Sequence, residues 1–224
     1  MRSWFRVAAE IVRKDLLLEL RAKRSLVLAT AFSMLVTVTF AFAFAHRLGS
    51  NETVGRAALW VSFLFAGVLL LTRTAGIETT DAAMDGLLLA PVDRTAIFVG
   101  KTAANALFLF IIEVAGLAFV FVFLDFAVPP SGLALVTLTF ALAAGGFAAA
   151  GTLLSILTVR SRLPELILPL VLVPVVVPVL LAGIQLTAAA TGGAPTMAWV
   201  QLLVAYDGVL LFAGVALFEP TVET

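Results

Sequence analysis

The sequence predicts an all-α polytopic membrane protein with six transmembrane helices and an N-terminal interfacial amphipathic helix. Hydrophobic residues make up 62% of the chain and charged residues 12%, a balance that excludes an ordinary soluble domain. Most of the long apolar stretches reach the roughly 20 residues that a helix needs to cross about 30 Å of hydrocarbon. The predicted spans are residues 26–45, 57–72, 102–124, 133–159, 166–186 and 199–218.

The basic residues determine the orientation. With the N-terminus in the cytoplasm, 12 of the 14 basic residues fall on the cytoplasmic side, and only Arg47 and Arg56 lie outside. The positive-inside rule therefore predicts six crossings with both termini in the cytoplasm. The whole chain, 1–224, is predicted to be one membrane domain: an interfacial helix (1–24), a six-helix region (25–218) and a cytoplasmic tail (219–224). No cysteine is present, which excludes disulfides and thiolate chemistry.

The N-terminal segment has the pattern of a basic amphipathic helix. Arginines and Lys14 fall on one arc and apolar residues on the other, which predicts a helix on the inner leaflet with Trp4 near the headgroups. Asp15 and Glu19 interrupt its apolar face. Two interpretations stay open: a stabilising Glu19–Lys23 pair, or contact of Asp15 and Glu19 with the cytoplasmic surface of a partner protein.

The longest cytoplasmic connection between spans, residues 73–101, carries a concentration of acidic residues. Their spacing of three and four places the carboxylates along one side of a short helix, and a triple leucine follows as an exposed apolar segment. Asp93 is predicted to cap the next helix. An ordinary solvated loop is one interpretation, and a docking element for a partner ATPase is the favoured one. The predicted docking residues are Glu78, Asp81, Asp85, Gly86, Leu87, Leu88, Leu89 and Pro91.

Gly100-Lys101-Thr102 resembles the end of a phosphate-binding loop, but Thr95 stands where the first glycine would be required. The segment also leads directly into an apolar span, so it predicts no nucleotide site. Lys101 is instead expected to anchor its helix at the membrane interface. The chain is therefore expected not to be an enzyme, and any ATP would bind a partner subunit.

Polar and proline residues mark the later spans. Each proline inside a helix removes a backbone hydrogen bond, which leaves two interpretations of the fifth span: a kinked packing helix, or a hinge at Pro164, Pro169, Pro174 and Pro178. Glu113 and Asp207 lie inside spans without a basic residue at similar depth. Such carboxylates are either hydrogen-bonded structural groups or functional ones, with proton coupling as one option.

Four segments together resemble the CcmB family, the haem exporter protein B permeases of cytochrome c maturation. They are Lys14-Asp15 with Glu19, the stretch 84–101 (MDGLLLAPVDRTAIFVGK), the proline-rich stretch 160–183, and AYDGVLLFAGVALFE near the end. The resemblance covers essentially the whole chain, and the loop and the proline-rich span are its most specific parts.

The resemblance implies an ABC-type permease of the bacterial inner membrane that has no ATPase of its own. It implies a pair of copies working with CcmA-type ATPases, beside CcmC- and CcmD-type membrane proteins. The ATP-driven step would release the haem-loaded chaperone CcmE. The alternatives are a generic ABC-2-like exporter of a lipid or drug, and a proton-coupled secondary transporter based only on Glu113 and Asp207.

Haem itself is expected on partner subunits. The chain offers no metal site and few axial ligands: one histidine, His46, at a predicted membrane edge, Met34 as the one methionine inside a span, and Tyr206 as the one tyrosine. We therefore predict that the chain alone binds no cofactor.

Overall fold

The computed structural model describes residues 4–22, 24–44, 51–80, 93–158, 164–193 and 197–223. Within these ranges the chain is helical and contains no strand. The helices are α1 (Trp4–Ala22), α2 (Arg24–Phe44), α3 (Asn51–Thr80), α4 (Arg94–Leu124), α5 (Leu133–Thr158), α6 (Pro164–Ala190) and α7 (Met197–Glu223), with a 3₁₀ turn at Pro130–Gly132.

Six of these helices, α2 to α7, are long and apolar enough to cross a membrane. The predicted fold class is therefore confirmed. The helices extend further than the apolar stretches that predicted them: α3 runs from Asn51 to Thr80 around its apolar stretch of residues 57–72, and α4 begins at Arg94 rather than near residue 102. Hydropathy marks where a helix contacts lipid, whereas capping decides where it begins.

Aromatic side chains from α3 and α5 fill the centre of the bundle. Trp60 packs edge-on against Phe63 and Phe140, and Phe63 packs edge-on against Phe147, with ring centroids 5.2–6.2 Å apart. All four rings are buried. The Trp60 indole also donates a hydrogen bond of 3.0 Å to the Thr187 hydroxyl on α6.

Glycines let the helices approach this centre closely. Gly183 of α6 lies against the Trp60 ring, and Gly67 of α3 lies against Phe147. On α5, Gly146 contacts Tyr206 and Asp207 of α7. A Cβ at any of these positions would collide with the facing side chain, so the small residues set the interhelical distances.

The N-terminal helix α1 packs on protein. Its Val7 and Ile11 join the first turns of α4 and the end of α5 in a second apolar cluster that includes Phe98 and Ile156. Gly100 of α4 lies against Ile11 and the Ala8 carbonyl. The sequence predicted an amphipathic helix with this apolar face on the inner leaflet. The structure has the helix, and part of its apolar face, at Val7 and Ile11, packs on α4. Phe5, Leu18 and Leu20 stay exposed.

Candidate functional site

The predicted docking segment lies between α3 and α4, and most of it falls outside the described residues. Asp81, Asp85, Gly86, Leu87, Leu88, Leu89 and Pro91 lie there. Glu78 lies in the last turns of α3, beyond the apolar stretch of residues 57–72. The segment therefore begins on the helical end of α3, and α4 follows it with Asp93 as its N-cap.

The point of return is held by a chain of hydrogen bonds. The Trp4 indole of α1 donates to the Thr95 hydroxyl at 2.8 Å, and that hydroxyl donates to the Asp93 carboxylate at 2.6 Å. The Thr95 backbone N–H donates to the same oxygen at 2.8 Å. The predicted cap at Asp93 is thereby confirmed. The hydroxyl bond and then the backbone bond from Thr95 lower the pKa of Asp93, because both favour its ionised form.

The two acids of α1 that were predicted as partner contacts, Asp15 and Glu19, have contacts within the chain. Asp15 forms an ion pair with Lys14 at 3.0 Å. Glu19 accepts a hydrogen bond of 2.7 Å from the Leu26 backbone N–H, in the first turn of α2. An anionic group suits that position because the first N–H groups of a helix have no intrahelical acceptor. This capping role is one the sequence analysis missed; Lys23, its expected partner, lies outside the described residues.

Lys101 corrects another expectation. It is 4% exposed, so it is buried in the protein and does not extend to the membrane interface as predicted. The segment Gly100-Lys101-Thr102 lies inside the continuous helix α4. A helix interior cannot form the cradle of backbone N–H groups that a phosphate needs, which agrees with the rejection of this motif.

The proline-rich span is one continuous helix, α6. Pro169, Pro174 and Pro178 lie inside it, whereas Pro164 is its first residue. A proline at the first position of a helix removes no intrahelical hydrogen bond, so the loss of backbone bonds expected of a hinge rests mainly on Pro169, Pro174 and Pro178. Near Pro178, the Tyr206 hydroxyl of α7 donates to the Val175 carbonyl at 2.7 Å. A neighbouring helix thus supports the turn that the proline interrupts.

Both intramembrane acids lie against small or hydroxyl-bearing residues. Asp207 faces Gly145 and Gly146 of α5. Glu113 is 1% exposed, and neither of its carboxylate oxygens has a hydrogen-bond partner among the described residues. The structure does not bring the two together: Glu113 is on α4, and Asp207 packs between α7 and α5.

The described residues contain no cluster of the usual metal ligands. No group of three or more His, Cys, Asp or Glu residues converges in the described part of the chain. Two shallow clefts are lined by other residue types, one around Ser131 and Thr191, the other around Val114 and Phe126. His46 lies outside the described residues.

The fold and these contacts define a class: a polytopic membrane protein with six membrane-length helices and a short helix fastened to the third of them. A family model, CcmB protein, matches residues 6–219. The chain therefore belongs to the CcmB family. It is also 27% identical over 180 residues to the heme exporter protein B of Rhodobacter capsulatus, covering 79% of this chain and 80% of that protein.

Proposed function

We propose that this chain is the permease subunit of an ABC transporter acting in cytochrome c maturation, in the inner membrane of a bacterium. The observation that carries the proposal is the CcmB family match over residues 6–219. The similarity to a protein named heme exporter protein B directs the proposal to haem. The many basic residues in the N-terminal segment favour cytoplasmic termini.

ATP hydrolysis is assigned to a CcmA-type partner. The one segment that resembles a phosphate-binding loop lies inside α4, with Gly100 packed against Ile11. The chain would then act as a transport subunit without catalysis of its own. A pair of copies would assemble with the ATPases and with CcmC- and CcmD-type proteins, and the ATP-driven step would release haem-loaded CcmE.

The segment from Glu78 to Pro91 is the proposed contact with the ATPase. Its support is positional: α3 carries Glu78 beyond the apolar span, and the Trp4–Thr95–Asp93 hydrogen bonds hold the other end. A force applied to the segment would pass into α3 and α4, because both its ends are helical. Asp15 is expected to contribute to the same partner surface, while Glu19 is already engaged in capping α2.

The test is charge reversal at Asp81→Lys with Asp85→Lys, in the complex purified from its native operon. We expect the ATPase to co-purify less or to hydrolyse ATP without coupling, while the variant still inserts. Glu52→Lys is the matched control, since Glu52 is an exposed acid in the first turn of α3, at the opposite end of that helix. Normal assembly and turnover in the double variant would refute docking through this segment.

The prolines of α6 are proposed as the hinge through which ATP-driven motion crosses the membrane. Pro169→Ala with Pro174→Ala should insert stably and lose maturation activity, because both backbone hydrogen bonds can then form. Pro164→Ala is the control and should keep activity, since this residue begins the helix. Equal activity in all three proteins would leave the prolines as packing features.

Haem is proposed to remain on partner subunits. Tyr206, the one tyrosine, uses its hydroxyl in the bond to the Val175 carbonyl. We expect no stoichiometric haem absorption from the isolated chain and most of the maturation activity in His46→Ala. A one-to-one haem spectrum abolished by His46→Ala would instead support direct haem export by this subunit.

A generic ABC-2-like exporter is the second function class. Subunit composition separates the two: co-purification with an ATPase and a CcmC-like protein supports cytochrome maturation. An ATPase alone supports generic export.

A further inference from the structure

Glu113 is a carboxylate buried inside the bundle without a compensating contact among the described residues. Its side chain is 1% exposed, and both carboxylate oxygens lack a hydrogen-bond partner among the described residues. An uncompensated carboxylate in such a setting costs several kcal/mol. A group that neutralises it is therefore required for the helices to pack as they do.

The helix register locates the environment of Glu113. On the same stripe of α4, Leu109 contacts Gly67 of α3, and Gly116 lies beside Leu59 and the Ser62 hydroxyl. Glu113, between these positions, therefore faces α3 between Ser62 and Gly67.

The other wall of this seam is α2. Its buried face consists only of small residues, Ser25, Ala29, Ser33 and Thr37. The Ser33 Oγ lies 3.4 Å from the point where a Cβ would stand at Gly116, and the Ser62 Oγ lies 3.8 Å from it. The hydroxyls of α2 and α3 thus meet at one place on α4, one turn from Glu113. We define Glu113, Ser33 and Ser62 as the seam cluster.

The hydroxyls of the seam cluster have free acceptor capacity. Ser33 Oγ is buried without a partner among the described residues. Ser62 uses its proton to donate to the Leu59 carbonyl at 2.8 Å, which leaves its lone pairs available. The cluster therefore presents oxygen acceptors and a negative charge, which are the ligands of a hard cation.

Among the described residues, no basic side chain lies at that depth. On α3 the two arginines are Arg56, six residues before Ser62, and Arg73, six residues after Gly67, each about 9 Å away along the axis, and Arg56 donates to the Thr191 hydroxyl at 3.3 Å. Residues 25–44 of α2, 57–72 of α3, 133–158 of α5 and 166–190 of α6 contain no charged residue, and 197–217 of α7 contain only Asp207. Lys101 is twelve residues earlier on α4, about 18 Å along the axis. The α1 helix contacts α4 near Gly100, at a similar distance.

We infer that the seam cluster binds one small monovalent cation, H⁺ or Na⁺, at the junction of α2, α3 and α4. A single positive charge makes the site neutral, whereas a divalent ion would leave an excess charge and would want six or more oxygen ligands. The bound cation holds α2 against the bundle. Its release leaves a bare carboxylate that favours separation of α2. This inference stands independently of any role in haem delivery.

The test measures unfolding of the purified full chain in nanodiscs, across pH at fixed Na⁺ and across Na⁺ at fixed pH and ionic strength. A site filled only in the folded state shifts the folding equilibrium by up to about tenfold for each tenfold change in cation. We expect stabilisation as the H⁺ or the Na⁺ concentration rises. Glu113→Gln, which keeps the shape without the charge, should abolish the Na⁺ response and the stabilisation by H⁺, and leave the loss of stability on acidification that the Asp93 cap predicts.

Infrared difference spectra between the wild type and Glu113→Gln separate the two cations. A neutral carboxylic acid C=O band lost in the variant identifies H⁺. Its absence, together with Na⁺-dependent stability, identifies Na⁺. Asp207→Asn serves as the control and should keep the band. If Glu113→Gln fails to fold, Ser33→Ala serves as the second test variant. It should weaken the dependence of stability on the cation concentration. Wild-type stability indifferent to both cations, or a response equal in the variants, would overturn the inference.

Discussion

The central helices α3 and α5 and the peripheral helices α2 and α7 are built in different ways. In the apolar spans of α3 and α5, 56% of the residues are buried, against 17% in α2 and 11% in α7. Interlocking aromatic rings hold the centre together, whereas α2 buries only small residues. The complementary packing of aromatic rings holds α3 and α5 together at the centre. The outer helices α2 and α7 instead pack closely through small residues and isolated polar contacts.

The two intramembrane acids lie where these regions meet. Glu113 of α4 lies in the seam with α2, and Asp207 of α7 faces Gly145 and Gly146 of α5. Ionisable groups inside a membrane are costly and mark functional positions. From the difference between the regions we therefore expect the outer seams to separate more easily than the aromatic centre. Six substitutions in four experiments test this contrast.

The largest effect is expected at the centre. Trp60→Ala removes a fully buried ring and the hydrogen bond to Thr187, and should destabilise the fold by about 3–5 kcal/mol. Phe42→Ala is the peripheral comparison, since Phe42 is 82% exposed on α2. It should change stability by no more than about 0.5 kcal/mol. Denaturant titration in detergent measures both, and similar losses would remove the distinction between the regions.

A smaller effect is expected at the seam between α5 and α7. Gly146→Ala places a methyl group against Asp207 and Tyr206, and should cost about 1–3 kcal/mol as α7 moves outward. Gly208→Ala, on α7 itself, meets nothing within 4 Å and should be neutral or stabilising. The same unfolding assay applies. Equal stability of the two variants would show that α7 tolerates displacement freely.

Tyr206→Phe tests a single peripheral contact. It removes the donor to the Val175 carbonyl and should cost about 1 kcal/mol or less, since hydrogen bonds within membranes contribute little net free energy. Amide hydrogen exchange in α6 should increase most near Pro178, because the Val175 carbonyl in that turn loses the Tyr206 hydroxyl as its second hydrogen-bond donor. Unchanged exchange in that turn would mean that α7 does not support α6.

The smallest effect is expected at the α1–α4 junction. Asp93→Ala should cost about 1 kcal/mol, the typical value of an N-cap. Because its hydrogen bonds lower the pKa of Asp93 in the folded state, the cap contributes fully above the usual carboxyl range and is lost as the pH falls through the lowered pKa. The stability difference between the wild type and Asp93→Ala should therefore shrink at low pH. A difference that grows on acidification would contradict the assignment.

The sequence predicted much of this architecture because hydropathy and capping are local signals. The six spans and the Asp93 cap could be predicted from neighbouring residues alone. The partner of α1 could not, because apolar burial is non-directional and the same face of Val7 and Ile11 fits lipid or protein. Lys101 was misjudged for the same reason: exposure depends on which helix lies opposite, and the sequence does not give that contact.

The features of the candidate site were likewise predicted where they depend on the local sequence and missed where they depend on contacts between helices. Glu113 and Asp207 could be identified as intramembrane acids from the sequence. That Glu113 lies on the stripe of α4 that packs against α3, and that Asp207 faces glycines of α5, depends on helix register, which the sequence pattern does not determine. Glu19 as a cap of α2 was missed because the bond spans two helices.

The contact between Trp60 and α6 makes the two ends of that helix different. Gly183 and Thr187, in its second half, are held by the indole, whereas Pro169, Pro174 and Pro178 all precede them. If α6 bends at its prolines, as proposed, we expect the bend to displace the part before Gly183 and to leave the part held by Trp60 in place. Such a bend would open the protein at one face of the membrane and leave the other face closed.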